Sequence, residues 1–379
     1  RRTYRKEGIF TPAVEDIISH TMMSNDDKIL SLLRTYFEPD DYFLVYKRMI
    51  GTGCIGGKAC GMLLARKIIQ TDNPGAFARM EPHDSYYLGS DVFYTYIVHN
   101  KFWRLHIHQK TKQGYFKLAP ELERAFLQGS FPEAIRLQFI RMLEYFGQRP
   151  IIVRSSSLQE DAFGNAFAGK YESVFCINTG TMDERLNELE NAVRTVYAST
   201  MNPSALEYRR QRGLGFKDEQ MALLIQRVSG SMYEDFLMPN AAGVGYSYSA
   251  YKWDNSINAS DGMLRLVMGL GTRAVDRTEG DYPRIVNLSA PDRSTLTASW
   301  AKHQYSQRYV DLMDYTTKSL SSRPLMAVTP HMDNWYKKLV LEHDYDAERT
   351  FRERGQHREI LFASCEGLVR NKEFTDCMK

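Results

Sequence analysis

The stretch GTGCIGGKACGM, residues 51–62, decides the predicted fold of the N-terminal half of the chain. The aromatic and β-branched residues from Tyr42 to Ile50 predict a strand before it, and the apolar residues after it recur at helical spacing. Glycines at a strand-to-helix turn let backbone N–H groups approach an anion, so Gly56, Gly57 and Lys58 form a candidate phosphate-binding turn. The spacing of a Walker A loop is missing, and an ordinary turn with a solvated lysine remains the alternative.

A second candidate segment, IIVRSSSLQED at residues 151–161, ends an apolar strand with polar side chains. Arginine forms bidentate bonds to phosphate oxygens, and serine hydroxyls donate further hydrogen bonds, so Arg154 and Ser155 are candidate phosphate ligands. The alternative is a surface turn in which Arg154 pairs with Glu160 or Asp161.

Predicted strands and helices alternate along the rest of the chain. Amphipathic spacing predicts the helices, and short apolar runs predict the strands. The predicted helices include residues 11–37 and 183–199, and the predicted strands include residues 85–88, 151–153, 221–226, 243–249 and 264–268. Beyond Asp292 the sequence predicts only charged helix. We therefore expect an α+β fold.

The bulk composition excludes several classes of function. The 379 residues carry a net charge of +3, without the basic excess that is typical of nucleic-acid or membrane-surface binders. The five cysteines form no CxxC pair, which argues against disulfides and structural zinc and favours the cytoplasm. No apolar run is long enough to span a membrane. Because residue 1 is not Met, we interpret the chain as a piece of a longer protein.

Four signatures in a fixed order indicate a family. They are GGKACGM at 56–62, VRSSSLQEDAFGNAFAGKYES at 153–173, AVRTVYAS at 192–199 with Tyr208 and Arg209 after it, and ALLIQRV at 222–228 followed by GLG at 269–271. With them the chain resembles the N-terminal ATP-grasp module of the phosphoenolpyruvate synthase and pyruvate phosphate dikinase family. The resemblance covers roughly residues 50–290.

The resemblance implies a two-lobed ATP-grasp-like fold, in which two α+β lobes clamp a nucleotide, with a helical C-terminal segment. It divides the chain into an N-terminal helical lead-in (1–40), a first lobe with the phosphate-contacting lysine and arginine (41–215), a second lobe with the adenine segment and glycine turn (216–300), and a helical, charged extension (301–379).

The resemblance also implies roles for individual residues. Lys58 and Arg154 would contact the ATP phosphates and serve catalysis. The remaining residues implied in nucleotide binding are Gly56, Gly57 and Ser155 near the phosphates, Phe167, Ala168 and Gly169 in a mobile phosphate-covering loop, Gln226, Arg227 and Val228 at the adenine, and Gly269 and Gly271 in a later glycine turn.

The sequence departs from the family pattern at several positions. Lys170 stands where many relatives carry glutamine, and Thr272 stands where a glutamate commonly follows the GLG. The segment from Ser229 to Ala242 has no recognised counterpart in the family. Lys170 makes the phosphate-covering loop more basic than in those relatives. Thr272 places in doubt any role of an acid after the GLG turn.

The metal ligands of the family are not identified in the sequence. Family members carry a D-x-E acid pair that holds Mg²⁺, followed by a Q-x-R-P strand. The stretch Ser322-Arg323-Pro324-Leu325 is interpreted as a chance similarity to that strand, and the acid pair is expected beyond Lys379. The carboxylates Asp344, Asp346 and Glu348 are interpreted as a solvated helix face.

The function implied by the resemblance is to bind ATP, with Mg²⁺, for phosphoryl transfer to a histidine on another domain. The implied partners are the phosphocarrier histidine domain and the acceptor-binding domain of the parent protein; neither a nucleic acid nor a membrane is expected. Two alternatives stay open. One is a relative that phosphorylates an antibiotic or a glucan, and the other is a degenerate nucleotide sensor or scaffold without catalysis.

Overall fold

The computed structural model describes residues 10–160, 169–275, 278–294 and 296–378. The chain divides into two compact units, Arg1–Val228 and Ser229–Lys379. Among the described residues, no helix has the length and apolar character to cross a membrane.

The first unit contains eleven labelled helices and five strands within its described residues. The helices are α1 (Pro12–Ile18), α2 (Asp27–Tyr36), α3 (Pro39–Lys47), α4 (Gly57–Asp72), α5 (Pro74–Phe77), α6 (Ser90–His99), α7 (Trp103–Gln109), α8 (Ala119–Gln128), α9 (Glu133–Phe146), α10 (Met182–Ala198) and α11 (Pro203–Gln211). The strands are β1 (Met49–Ile50), β2 (Ser85–Leu88), β3 (Ile151–Ser157), β4 (Ser173–Cys176) and β5 (Met221–Arg227).

The strand predicted from Tyr42 to Ile50 is wrong over most of its length. Helix α3 begins at Pro39, and Glu38 and Asp41 form a reciprocal capping box at its N-terminus. The capping box satisfies backbone N–H groups that a helix start leaves open. Tyr42 and Val45 then bury one helical face, and only β1 remains as strand.

The five strands of the first unit form one mixed sheet in the order β1-β2-β5-β3-β4. β1 and β2 are parallel, and the other neighbours are antiparallel. β5 lies at the centre of this sheet, with Leu223 opposite Leu88 on β2 and Ser155 on β3. The compact units therefore differ from the expected lobes, because a boundary at residue 216 would separate β5 from both of its partners.

Helices cover both faces of this sheet. Leu223 and Ile225 of β5 point into a core formed with α6, α8, α9 and α10, and Leu224 between them points into a second core formed with α2, α3 and α4. Successive side chains of a strand alternate between its faces. This alternation places α4, the helix that follows the glycine loop, on the face that carries Leu224.

The second unit contains nine strands and seven labelled helices within its described residues. The strands are β6 (Ser231–Tyr233), β7 (Phe236–Met238), β8 (Ala242–Tyr246), β9 (Met263–Val267), β10 (Arg284–Asn287), β11 (Tyr309–Asp314), β12 (Ser319–Pro324), β13 (Leu341–His343) and β14 (Leu361–Ala363). The helices are α12 (Thr272–Val275), α13 (Ser299–Gln304), α14 (Leu325–Val328), α15 (Asn334–Val340), α16 (Tyr345–Glu353), α17 (Glu366–Arg370) and α18 (Lys372–Met378).

Three antiparallel sheets organise the second unit, with the orders β10-β9-β8, β12-β11-β7-β6 and β13-β14. The segment from Ser229 to Ala242 supplies the β6–β7 hairpin, and β11 pairs with β7. The prediction of helix alone beyond Asp292 missed four strands. β12 is polar and largely exposed, and β13 and β14 have three residues each, so none of them shows a strong apolar alternation.

We expect removal of one partner of the buried ion pair of Arg209 and Glu219 to destabilise the first unit strongly. Their Nη1 and Oε2 atoms are 3.1 Å apart, both residues are buried, and the Tyr171 hydroxyl donates to Glu219 at 2.7 Å. Glu219→Ala leaves the guanidinium without its counter-charge and should lower the free energy of unfolding by about 3–5 kcal/mol.

Urea unfolding followed by circular dichroism measures this loss. The matched control is Glu207→Ala, which removes the exposed partner of Arg210 on the same helix and should hardly move the unfolding midpoint. Equal effects of the two variants would contradict the assignment.

Candidate functional site

The glycine loop and the end of β3 are in direct backbone contact. Gly56 has a φ of +83°, and a Cβ atom there would lie 1.4 Å from the carbonyl oxygen of Ser156. A Cβ atom on Gly57 would lie 1.9 Å from the carbonyl oxygen of Glu160. The hydroxyl of Ser156 completes the contact, because it donates to the carbonyl of Ile55 at 2.8 Å. The two glycines are therefore required by packing as well as by any ligand.

Lys58, at the start of α4, reaches across this contact. Its Nζ donates to the carbonyl oxygen of Ser155 at 2.9 Å, to the hydroxyl of Ser155 at 3.2 Å and to Oε1 of Glu160 at 3.0 Å. The Lys58 side chain is 21% exposed and that of Glu160 is 3% exposed. Burial raises the pKa of Glu160, and the ammonium of Lys58 opposes that rise. Glu160 thus pairs with Lys58, whereas the sequence left Arg154 as its alternative partner.

Arg154 lies beside Ser155 on β3 and contacts the central strand. Its Nη1 lies 3.4 Å from Oε1 of Gln226, whose Nε2 lies 3.2 Å from the hydroxyl of Ser85 and 3.2 Å from Sδ of Met62. Met62 follows Lys58 by one turn of α4, so the helix contacts β3 through Lys58 and β5 through Met62. The structure therefore gathers the predicted lysine, arginine and glutamine along one helix–sheet junction.

The two residues after Gln226 are held elsewhere in the first unit. The Arg227 guanidinium donates to Glu81 at 2.5 Å and lies 3.7 Å from Asp84. The backbone N–H of Val228 donates to the carbonyl of Pro150 at 2.9 Å. Because neighbouring residues of a strand face opposite sides, the Arg227 side chain is directed away from that of Gln226.

The predicted phosphate-covering loop lies only partly within the described residues. Phe167 and Ala168 lie outside the described residues. Gly169 has a φ of +68° and no atom within 4 Å of an added Cβ. The Nζ of Lys170 lies 5.5 Å from the ring centre of Tyr208, a distance at which a cation is attracted to the ring face.

The later glycine turn belongs to the second unit and packs on β11. Gly269 has a φ of +81°, and a Cβ atom there would lie 2.5 Å from Cγ1 of Val310 and 2.7 Å from the carbonyl oxygen of Asp311. The N–H of Leu270 donates to that same carbonyl at 2.8 Å. An added Cβ on Gly271 would meet only Ala242, at 3.4 Å. Gly269 is thus the position where packing demands glycine.

The side chain of Asp311 is occupied by its neighbours. Thr272 donates a hydrogen bond to Oδ2 at 2.6 Å, and Arg273 donates to Oδ1 at 2.9 Å. Arg273 also donates to Asp281 and to the hydroxyl of Ser322. One arginine therefore holds both carboxylates next to the glycine turn, a cluster that the sequence analysis did not find.

Of the carboxylates Asp344, Asp346 and Glu348, which were expected on a solvated helix face, Asp344 is buried. Asp344 caps α16, and it contacts Nδ1 of His303 at 2.8 Å. Burial opposes ionisation of Asp344, but hydrogen bonds from Ala347 and His303 lower its pKa. These contacts assign Asp344 a structural role.

The residues that the structure describes do not fit the Mg²⁺ that the resemblance implies. Mg²⁺ prefers octahedral coordination by oxygens, including carboxylates that are free to bind it. Asp281 and Asp311, the carboxylates next to the glycine turn, are both bound to Arg273, so neither of them is free to bind the ion.

Comparison with known families gives a match over most of the chain. Residues 52–324 match the family described as pyruvate phosphate dikinase, AMP/ATP-binding domain. Comparison with curated proteins gave no match. The matched stretch ends at the last residue of β12, so it includes Ser322, Arg323 and Pro324, which the sequence analysis interpreted as a chance similarity.

We expect Gly56→Ala to destabilise the first unit by about 3 kcal/mol or more. The added methyl would occupy a left-handed backbone conformation and overlap the Ser156 carbonyl, so β3 or the loop must move. The matched control is Gly61→Ala in α4, the helix that follows Gly56. No atom lies within 4 Å of a Cβ added at Gly61, so this substitution should stabilise the first unit by up to about 1 kcal/mol. Thermal and urea unfolding measure the stability of both variants. A Gly56→Ala protein as stable as the wild type would contradict the packing described.

Proposed function

The chain belongs to the pyruvate phosphate dikinase AMP/ATP-binding domain family, and we propose that its first unit binds the phosphates of ATP through Lys58 and Arg154. The observation that carries the proposal is the position of the two cations. Lys58 binds the carbonyl and hydroxyl oxygens of Ser155, which directly follows Arg154 in the middle of β3. Phosphate recognition depends on such placed cations and hydroxyls.

The contacts of Lys58 define how a phosphate could enter. A lysine ammonium has three donors, and three protein acceptors lie within hydrogen-bonding distance of it. A phosphate oxygen must therefore replace one of them. The Ser155 hydroxyl is the longest of the three contacts, and it keeps a second partner because it donates to Oε1 of Glu160 at 2.9 Å. We propose that this contact is exchanged while Glu160 holds the ammonium in place.

The adenine end of the site is proposed on the family resemblance. Gln226 contacts Arg154, and its amide can present both a donor and an acceptor to a base. The segment from Gln226 to Val228 would line the base, and the loop of Phe167, Ala168 and Gly169 would cover the phosphates. The nucleotide-binding role of Gly269 and Gly271 is likewise proposed on the resemblance alone.

In the parent protein the bound ATP would phosphorylate a histidine on a separate phosphocarrier domain, and an acceptor-binding domain would receive the group. A relative that phosphorylates an antibiotic or a glucan would use the same nucleotide site. Positioning and neutralisation of phosphate charge dominate such reactions, which suits a lysine and an arginine. The five cysteines are free, and this supports the cytoplasm as the compartment.

A nucleotide sensor without catalysis is the second candidate, and the β11–β12 hairpin favours it. Asp311 lies directly opposite Ser322 in this hairpin, and we infer that these strands are the counterparts of the family's D-x-E and Q-x-R-P segments. Met313, fully buried, then occupies the position of the second acid. This inference replaces the expectation of an acid pair beyond Lys379.

We expect Arg154→Ala to weaken ATP binding by about 1.5–3 kcal/mol, or roughly 10- to 150-fold, because one charge-assisted phosphate bond is lost. The double variant Lys58→Met/Glu160→Gln should lose a similar amount, since it removes the ammonium without leaving a buried charge unpaired. Adenosine has no phosphates, so its binding should be unchanged. Calorimetry with both ligands measures the losses.

The control for this experiment is Lys67→Ala. Lys67 lies on the same helix and pairs with Asp41 at 2.8 Å, outside the proposed site. Its ATP affinity should equal that of the wild type. Equal losses for ATP and adenosine in the Arg154 variant would show that the residue supports the fold rather than the phosphates.

We expect Mg²⁺ to leave ATP binding to this chain almost unchanged and to support no ATP hydrolysis above background. The physical reason is that Asp281 and Asp311 are both bound to Arg273, so neither carboxylate is free to bind the ion. Calorimetry in EDTA and in Mg²⁺, with a phosphate-release assay, tests this. Hydrolysis that depends on Mg²⁺ would overturn the sensor interpretation, and the first variants to examine would then be Asp311→Asn and Asp344→Asn.

A further inference from the structure

The second unit contains a cavity of about 750 Å³ that the proposed nucleotide site does not use. It lies on the β8–β10 sheet, and residues from α13, β13 and β14 complete its wall. Neither the glycine turn nor Asp311 is among its lining residues. Cavities of this size commonly hold small organic molecules.

Aromatic side chains dominate the wall of this cavity. Six of them are Tyr246, Tyr248, Tyr251, Trp253, Tyr282 and Tyr305. The five tyrosines are 41–65% exposed, although each carries a large apolar ring. Tyr282 and Tyr305 form an edge-to-face pair with ring centres 5.5 Å apart. Such rings offer flat surfaces on which a planar ligand can stack.

One cation in the wall of this cavity has no ion-pair partner among the described residues. Arg265 lies on the central strand β9, between Val244 and Ile285 on its neighbours, and is half-buried. Its side chain forms no hydrogen bond or ion pair with any residue that the structure describes. The guanidinium is therefore available for a charge-assisted hydrogen bond to an anionic ligand.

The other charged groups of the wall are balanced in pairs. Arg284 lies 3.1 Å from Glu366, Lys302 lies 3.6 Å from Glu342, and Asp281 is bound to Arg273. The described wall carries three cations and three carboxylates, so its formal charge is zero. Arg265 is the cation among them that is left available to a ligand with a single negative charge.

Two buried polar atoms in the same wall lack hydrogen-bond partners. They are Oε2 of Glu342, an acceptor, and Nε of Arg284, a donor. Oε2 of Glu342 has the ion-pair contact to Nζ of Lys302 at 3.6 Å, which is longer than a hydrogen bond. A buried polar atom without a partner is costly, and a ligand that supplies the missing bond recovers that cost. Glu342 indicates that the ligand carries a hydroxyl or amino donor.

Part of the wall lies outside the stretch that matches the family. Glu342, Phe362, Ser364 and Glu366 belong to residues 325–379, whereas the match ends at residue 324. The cavity is thus completed by a segment that the family match does not include.

We propose that this cavity binds a small aromatic acid, a planar ring that bears one carboxylate and a hydrogen-bond donor. The ring stacks on the tyrosines, the carboxylate forms paired hydrogen bonds with Arg265, and the donor reaches Glu342. The bidentate fork of arginine suits a planar carboxylate. This site is independent of Lys58 and Arg154, so it adds a second ligand to the proposed nucleotide module.

Calorimetry with two probes of equal ring size tests the proposal on the 379-residue chain. 1-Naphthoate carries the carboxylate and 1-naphthalenemethanol does not. We expect one naphthoate per chain and at least tenfold weaker binding of the alcohol, since a charge-assisted bond is lost. Equal affinities, or no binding of naphthoate at millimolar concentration, would overturn the proposal.

Two variants locate the site. Arg265→Gln should remove the preference for naphthoate, and Arg293→Gln, which changes an exposed arginine of the same unit outside the wall, should keep it. Preference that survives in a folded Arg265→Gln protein would overturn the proposal. Arg154→Ala should bind naphthoate normally, and ATP should not displace the probe, so failure of the nucleotide site and failure of this site give different results.

Discussion

The close approach of the glycine loop to the end of β3 is the constraint on which the candidate site depends. Gly56 and Gly57 leave no room for a side chain because the carbonyls of Ser156 and Glu160 occupy that space. This contact joins two segments that are about a hundred residues apart, and it places Lys58 at Ser155 and Glu160. A change that separated the loop from the strand would therefore dismantle the phosphate site and part of the core together.

The same contact explains why a buried acid accompanies the cations. Glu160 would be costly to ionise alone, and Lys58 compensates it at 3.0 Å. The acid in turn fixes the ammonium, which would otherwise be mobile on a four-carbon side chain. Preorganisation of this kind reduces the entropy lost on binding. In the second unit Arg273 has the opposite effect, because it occupies the two carboxylates that could have approached a cation.

The sequence predicted the segments that carry strong local signals and missed those that depend on partners. Strands β2, β3 and β5 of the first sheet follow from short apolar runs, whereas β4 was not predicted. The pairing of Glu160 with Lys58 was not predicted either, because it depends on the contact between two distant segments. The strand predicted from Tyr42 to Ile50 failed because aromatic residues suit a helix face once Pro39 and a capping box begin it. β12 was missed because a polar, exposed strand is defined by its pairing, here with β11, which the sequence does not display.

Binding of ATP phosphates by Lys58 at this junction is tested most directly by lysine acylation followed by mass spectrometry. Lys58 and Lys67 lie on the same helix with side chains that are 21% and 16% exposed, so each serves as the reference for the other. At an ATP concentration that saturates binding, we expect Lys58 to be acylated more slowly and Lys67 to be acylated at an unchanged rate. Adenosine should protect neither lysine. Acylation of Lys58 at the same rate with and without bound ATP would contradict phosphate binding by Lys58.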